Sequence, residues 1–206
     1  MPGSATSKAE CLSLVAGLDV LTHRERDADA LAHDIISALV ARGVTDVTAA
    51  THWAQVGQLR HIALTIESCE VDALSTTLAE LAPEPGGTMG VLLPDRYIGE
   101  EELRETLAEA IRAHVRRKSG RAVAFRGCDA LAGLMPVSEV LASSAIDRVH
   151  VLAAGNAEPD AVLNTRNFVR PRWRDGELVL DTQPAAGETL VPFESPFPTP
   201  CCADHA

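Results

Sequence analysis

The chain is poor in aromatic residues and in cysteine, and each shortage narrows what it can be. Aromatic side chains make up 3% of its 206 residues, so a core must be filled mainly by Leu, Val, Ile and Ala, a composition that suits helices packed on a sheet. The cysteines number five. An odd count favours free thiols in a reducing compartment over a framework of disulfides.

Positive charge and long apolar runs are scarce as well. The formal net charge is -11 at pH 7, which argues against a general nucleic-acid binder, because affinity for phosphate backbones comes from clustered Lys and Arg. No apolar run reaches about 18 residues, the length of a membrane-spanning helix. The segment Met1 to Glu10 lacks the basic-then-apolar order of a secretory signal. We therefore expect a cytoplasmic protein that binds neither nucleic acid nor membrane.

The common catalytic signatures are missing from the sequence. It contains no phosphate loop, no dinucleotide glycine fingerprint, no Gly-x-Ser-x-Gly elbow and no helix with paired zinc-binding histidines. No nucleotide cofactor is therefore indicated. These absences weaken the case for an enzyme without deciding it.

Composition divides the chain into three parts. Residues 1–9 are small and polar, and we expect them to be disordered. Residues 10–183 have the periodic apolar pattern of a single α/β domain, with sub-units at 10–94 and 95–183. Residues 184–206 are rich in proline and predict an extended tail without regular structure.

The first sub-unit follows the order strand, helix, strand, strand, helix, strand. The predicted segments are Cys11 to Val20, Glu25 to Arg42, Val47 to Val56, Leu59 to Glu67, Val71 to Leu81 and Thr88 to Leu93. This order matches the ferredoxin-like supersecondary arrangement.

The second sub-unit alternates helices and strands. The predicted segments are helix Glu100 to Lys118, strand Arg121 to Phe125, helix Asp129 to Ser143 and strand Arg148 to Ala153. Such alternation predicts parallel strands joined by helical crossovers, so the whole is a mixed α+β fold. Strands Arg166 to Arg174 and Glu177 to Asp181 then flank Asp175-Gly176, a dipeptide typical of hairpin turns.

The end of the chain carries the sharpest chemical signal. Cys201, Cys202 and His205 lie within five residues of one another and Asp204 lies among them. Thiolate and imidazole are ligands for Zn(II) or Cu(I), and a carboxylate is a weaker ligand or orients the imidazole. The sequence therefore favours a metal- or thiol-binding protein. One tail does not close a tetrahedral site, so a further ligand must come from the domain or from a second subunit.

Two alternatives stay open. Cys128 lies between a predicted strand and a predicted helix, beside Arg126, and a thiolate there is the nucleophile of a cysteine-dependent enzyme; the tail thiols are the other choice. In the second alternative the tail, with its phenylalanines and prolines, docks on a protein partner or forms a homo-oligomer.

Anion and histidine sites are weaker suggestions. In the predicted hairpin register Arg174 is opposite Glu177 and Arg170 is opposite Asp181, so Arg166 and Arg172 are left to bind an anion. Around Gly57-Gln58 the register predicts Val56 opposite Leu59 and Ala54 opposite His61, which puts His52 and His61 on one face of the sheet without being opposite each other.

Overall fold

The computed structural model describes residues 13–81 and 89–196. These residues form thirteen strands and four α-helices, which confirms the mixed α/β class. The helices are α1 (Glu25–Ala41), α2 (Val71–Glu80), α3 (Glu101–Val115) and α4 (Val137–Ser143). The strands are β1 (Leu14–Thr22), β2 (Val47–Val56), β3 (Leu59–Ser68), β4 (Gly90–Leu92), β5 (Tyr97–Gly99), β6 (Arg121–Ala124), β7 (Leu134–Pro136), β8 (Arg148–Val151), β9 (Gly155–Asn156), β10 (Val162–Asn164), β11 (Arg172–Arg174), β12 (Glu177–Ala185) and β13 (Thr189–Pro192).

The first four strands lie in the order β4-β1-β3-β2, and every neighbouring pair among them is antiparallel. The β2–β3 register has Val56 opposite Leu59 and Ala54 opposite His61. The register predicted from the Gly57-Gln58 turn is therefore confirmed. It follows from the period of two in a strand, because a slip of one residue would turn every apolar side chain to the other face.

The two faces of this part of the sheet are covered by different helices. Ile62, Leu64 and Ile66 of β3 point to one face and pack in a buried cluster with residues of α1 and α2. The alternate residues of β3 face α3, where Gly17 lets the Leu107 side chain approach closely. The apolar face forms the main core, whereas the α3 face also encloses polar side chains.

The second half continues the same sheet from the outer side of β2. Arg121 in β6 lies opposite Thr51 of β2 and opposite Arg172 of β11, and both ladders are antiparallel. The prediction of parallel alternation is therefore wrong for β6. The helix before it, α3, connects the β5 edge to the opposite edge of the first unit, so β6 does not lie beside the strand that precedes the helix. Only β8–β12 and β10–β13 are parallel in the described residues.

Two predicted elements are shorter in the structure. The helix expected over Asp129 to Ser143 is a single turn at Cys128–Ala130, then β7, then α4. Gly133 has φ +67°, and Pro136 holds an extended conformation at the N-cap of α4, so no continuous helix passes through this segment. The strand expected from Arg166 to Arg174 is only β11, because Arg166 itself has φ +53° in a turn.

The hairpin around Asp175-Gly176 has the expected register, with Arg174 opposite Glu177 and Trp173 opposite Leu178. The proposed Arg170–Asp181 pair is wrong. Arg170 precedes β11, and its Nε is 3.0 Å from Asp29 Oδ2 in α1, whereas Arg174 pairs with Asp181.

The predicted tail is regular over its first part. Residues 184 and 185 end β12 and residues 189–192 form β13, where Pro184 is opposite Leu190 and Pro192 is opposite Thr182. Residues 197–206 of the tail and the predicted disordered residues 1–9 lie outside the described residues, and the division at residues 94 and 95 stays a prediction. Among residues 13–81 and 89–196, no helix is both long and apolar enough to span a bilayer.

Candidate ligand-binding cleft

The outer edge of β2 is only partly covered. Its ladder with β6 includes Ala49, Ala50 and Thr51, and no described strand pairs with residues 52–56 on that side. The residues that precede β6, Ser119 and Gly120, lead back to α3. A slot therefore opens in line with β6, between the free edge of β2 and β11.

This slot is a cleft of about 730 Å³, within the roughly 300–1,000 Å³ of known small-ligand sites. Five consecutive residues of β2, from Thr51 to Gln55, line it. Successive side chains of a strand point to opposite faces, so a cleft that touches consecutive residues also includes the edge of the strand. It gathers both tryptophans of the chain, Trp53 and Trp173.

One side of the cleft carries arginines and is called the arginine side. It consists of Arg60, Arg121, Arg172 and Arg174 together with Trp53. Paired residues of neighbouring strands point to the same face, and the registers from Thr51 through Arg121 to Arg172 put these residues on the face that α1 covers. The guanidinium of Arg60 stacks over Trp53, with 4.3 Å from Cζ to the ring centroid.

The other side, called the apolar side, faces α3. It consists of His52, Ala54 and Trp173 from the strands, with Ala110 and Ala113 from α3, and the α3 residues Thr106 and Glu109 also line it. Trp173 is covered from behind by Arg117, whose Cζ is 4.4 Å from the ring centroid. The cleft thus has a cationic side and a largely apolar side on the two faces of one strand edge.

A chain of polar contacts runs from the cleft into the interior. His52 Nε2 is 2.9 Å from Thr65 Oγ1, which is 2.7 Å from His114 Nδ1, and His114 Nε2 is 3.0 Å from Glu67 Oε2. A carboxylate only accepts, so His114 donates from Nε2. The Thr65 hydroxyl has one proton, and its oxygen lies 3.3 Å from the Ala50 carbonyl oxygen and 2.7 Å from His114 Nδ1. Whichever of these two atoms accepts the Thr65 proton, Thr65 Oγ1 is left to accept from the Nε2–H of His52, so Nδ1 is the acceptor nitrogen of the neutral His52 ring.

The pKa values at the two ends of this relay are both lowered, but for different reasons. Burial alone would raise the pKa of Glu67, but hydrogen bonds from His114, Ser13 and Arg117 outweigh it and lower the pKa to about 2. Burial, aided by the nearby His114, lowers the pKa of His52 to about 3. Glu67 is therefore ionised and His52 neutral at physiological pH.

A second polar pair is fully enclosed under α3. His61 Nε2 lies 2.7 Å from Asp19 Oδ2, and both side chains are fully buried. Neither of these two atoms has another polar partner among the described residues, so the two atoms satisfy only each other. Burial raises the pKa of Asp19 against the opposing effects of the Leu21 amide and His61. This pair does not line the cleft.

Arg121 ties the floor of the cleft to the rest of the protein. Its guanidinium is 4% exposed; Nη1 donates to Asp29 Oδ1 at 2.5 Å and Nε donates to Glu194 Oε1 at 2.6 Å. These two carboxylates raise the pKa of Arg121 in spite of burial. Its charge is compensated, so Arg60 and the half-exposed Arg172 are the cations better placed for a ligand. Arg172 also contacts Glu194, at 3.3 Å.

The residues proposed for anion binding separate in the structure. Arg172 lines the cleft, whereas Arg166 lies in an exposed turn away from it. The two histidines share a face as predicted, but only His52 reaches the cleft and His61 is enclosed with Asp19. Anion binding by Arg166 and Arg172 stays a prediction.

Cys128 lies half-buried in the turn after β6. Its Sγ donates to Asp129 Oδ1 at 3.7 Å. Burial raises the pKa of the thiol, and Asp129 adds to the effect over the lowering influence of backbone amides. This environment disfavours the thiolate that a nucleophile needs. The Cys128 hypothesis stays a prediction that the local geometry does not favour.

The predicted metal ligands Cys201, Cys202, Asp204 and His205 lie outside the described residues. Within residues 13–81 and 89–196, no three His, Cys, Asp or Glu side chains come together in a way that would hold a metal ion. Binding of Zn(II) or Cu(I) by the tail therefore stays a prediction.

Sequence reasoning missed the roles of Trp53, Arg60 and Glu67. Their spacing follows no motif, because Trp53 lies in β2 and Arg60 and Glu67 lie at opposite ends of β3. The useful signal was the polar His114 on the inner face of α3, since a histidine at an apolar helix position needs a polar partner across the interface.

Comparison of the chain with models of protein families, with curated protein sequences and with solved structures finds no match.

Proposed function

We propose that this chain is a ligand-binding protein whose cleft takes an acidic organic molecule. The observation that carries the proposal is the concentration of four arginines and both tryptophans around one 730 Å³ cleft in a chain of net charge -11. Two acidic residues, Glu25 and Glu109, also line it. Positive charge is therefore enriched at the cleft relative to the whole chain.

Arg60 is the residue best suited to meet an anion. It has no carboxylate partner among the described residues, and Trp53 holds its guanidinium in place. A planar guanidinium presents two parallel N–H donors that match a carboxylate or a phosphate. The exposed faces of Trp53 and Trp173 add stacking surface for a planar or apolar part of the ligand.

His52 supports binding more than acid–base catalysis. A base whose pKa is about 3 has little affinity for a proton at neutral pH. Its Nδ1 lone pair instead accepts a hydrogen bond from a ligand N–H or O–H, and the relay through Thr65 keeps the ring in that tautomer.

Intrinsic fluorescence tests the proposal, because both tryptophans of the chain line the cleft. The purified protein is titrated with inorganic phosphate, citrate and phthalate. We expect a saturable change for at least one of these anions, weakened about tenfold by Arg60→Gln because one charge-assisted hydrogen bond is lost.

The matched control is Arg104→Gln, which removes an exposed arginine on α3 that pairs with Glu101 and is not part of the cleft. It should leave the affinity unchanged. The proposal fails if no anion gives a saturable signal, or if the two variants weaken binding equally.

We also propose a ferredoxin-like arrangement for the first sub-unit. The strand order β4-β1-β3-β2, its antiparallel ladders and the pair of helices on one face support a ferredoxin-like arrangement for residues 10–94.

We keep metal or thiol binding by Cys201, Cys202 and His205 as the second candidate. Its support is the ligand chemistry of these side chains, and Glu194, in the last described part of the chain, contacts Arg121 and Arg172 of the cleft. Native mass spectrometry with Zn(II) or Cu(I) should show a bound ion that is lost in Cys201→Ser plus Cys202→Ser. An unchanged stoichiometry in that variant would reject it.

A further inference from the structure

The wall of the cleft is a strand edge, and this restricts the class of ligand. Beyond Thr51, residues 52–56 of β2 have no described strand on the side away from β3. In a strand, the N–H and C=O groups of alternate residues point to opposite sides. At least two residues of this stretch therefore direct both backbone groups into the cleft.

Unpaired edges of this kind are templates for a further strand. The free stretch has the length of five residues at about 3.3 Å each, or about 16 Å. A globular small molecule would use a few of these backbone groups, whereas an extended peptide would use them in register.

The two sides of the cleft add a pattern to that shape. A strand that pairs with β2 directs alternate side chains to opposite faces of the sheet. One set would meet the arginine side, with Arg60 and Arg172, and the other would meet the apolar side, with Ala54 and Ala110. The charges that face the first set are these arginines. Asp29, Asp181 and Glu194 partly compensate Arg121, Arg174 and Arg172, and Glu25 lies near Arg172. The charge that faces the second set is Glu109 of α3.

We infer that the ligand of the cleft is an extended peptide with alternating acidic and apolar residues, which pairs with residues 52–56 of β2 and lays its carboxylates on the arginine side. This inference rests on the proposed function and names its ligand class. Main-chain hydrogen bonds to β2 supply affinity, and the two unlike sides supply specificity for the alternation.

The test uses the full chain and a capped hexapeptide that alternates glutamate and valine, followed by tryptophan fluorescence. Its controls are the alternating lysine–valine hexapeptide and a block isomer with three glutamates followed by three valines. The alternating acidic peptide should bind about tenfold more tightly than either control, because only it matches both sides of the cleft.

Methylation of the peptide nitrogens provides the sharper readout. One peptide is N-methylated at every valine and another at every glutamate. Only alternate residues of an added strand direct their N–H to β2. One of the two methylated peptides should therefore lose about tenfold in affinity, and the other should bind like the unmethylated peptide. Equal effects of the two series, or equal binding of the block isomer, would overturn the inference.

Two further outcomes are informative. If phosphate, citrate or phthalate binds in an Arg60-dependent manner but no peptide does, the peptide inference fails and the ligand-binding function stands. If the acidic peptide binds only after residues 197–206 are deleted, the C-terminal segment of this chain occupies the cleft in the natural protein, and the inference of a peptide from another molecule fails.

Discussion

At the scale of single residues, the most informative groups are polar side chains enclosed between the sheet and α3. Glu67, His114, Thr65 and His52 form one series of contacts, in which Glu67 accepts from His114 Nε2 and Thr65 accepts from His52 Nε2. Each member satisfies its neighbour, as buried polar groups require. Replacing the carboxylate therefore affects the whole relay.

We predict that Glu67→Gln removes an acid-sensitive part of the stability. The folded pKa is about 2 and the unfolded value is 4.5, so the ionised form stabilises the fold above pH 4.5, and this contribution is lost as the pH falls towards 2. This lowering of the pKa corresponds to at most about 3 kcal/mol of the unfolding free energy. Solvent screens the carboxylate little, because its side chain is only 15% exposed.

Urea unfolding from pH 7 to pH 2 measures this. Between pH 4.5 and 2 the variant should show a shallower fall of the unfolding free energy than the natural chain. Glu105→Gln, on the exposed face of α3, is the control and should retain the original slope. Parallel curves for Glu67→Gln and the natural chain would contradict the prediction.

We predict that the ring of His52 stays neutral from pH 8 to pH 5, with its proton on Nε2. Burial lowers its pKa to about 3, so the neutral form is favoured in the folded state, and stability is lost as the pH falls below the unfolded value of 6.5. Long-range ¹H–¹⁵N spectra of the imidazoles report both the tautomer and the charge. Titration of His52 between pH 5 and 8 would refute the assignment.

At the scale of elements, the junction from α3 to β6 shapes the cleft. Gly120 has φ +128°, and a Cβ built there would lie 2.6 Å from His52 Cε1. The absence of a side chain lets the chain turn away from β2 and leaves the strand edge open. A residue with a side chain would both strain the backbone and push the His52 ring.

We predict that Gly120→Ala costs about 2 kcal/mol or more, measured by thermal or urea unfolding, and disturbs the His52 ring signals. Gly187→Ala is the matched control, because its φ is also positive, +74°, but nothing lies within 4 Å of the added carbon. It should cost only about 1 kcal/mol. Equal losses would show that the contact with His52 contributes nothing.

The elements that were predicted well have strong local signals. In α1 and α3, apolar residues recur at helical spacing, and the β2–β3 and β11–β12 hairpins have turn residues that set their registers. The helix expected from Asp129 failed because Gly133 and Pro136 outweigh the apolar spacing. The predicted parallel direction of β6 was wrong because helix–strand alternation does not specify which free edge of the sheet a strand will join.

At the scale of the whole molecule, one ion network joins distant parts of the chain. Asp29 in α1 binds Arg121 in β6 and Arg170 before β11, and Arg121 also binds Glu194 after β13. The described core has one buried cluster around α1 and α2 and another in the second half, and Cys128 packs against both. A buried cation depends strongly on such partners.

We predict that Asp29→Ala destabilises the protein by about 3–5 kcal/mol, because it leaves Arg121 buried with one of its carboxylates missing. Glu80→Ala breaks the exposed pair with Arg42 and should cost less than about 1 kcal/mol. Urea unfolding at pH 7 compares the two. Similar losses would mean that the Asp29 network behaves like a surface ion pair.

The sequence by itself determined the mixed α/β class, the positions of the main helices and the registers of two hairpins, because these depend on periodicity and turn chemistry within a few residues. Only the tertiary structure decided the cleft. Trp53, Arg60 and Trp173 come together because β6 joins the outer edge of β2 and then leaves half of that edge uncovered. Such a choice between free edges depends on how whole layers pack, and no local pattern in the chain encodes it.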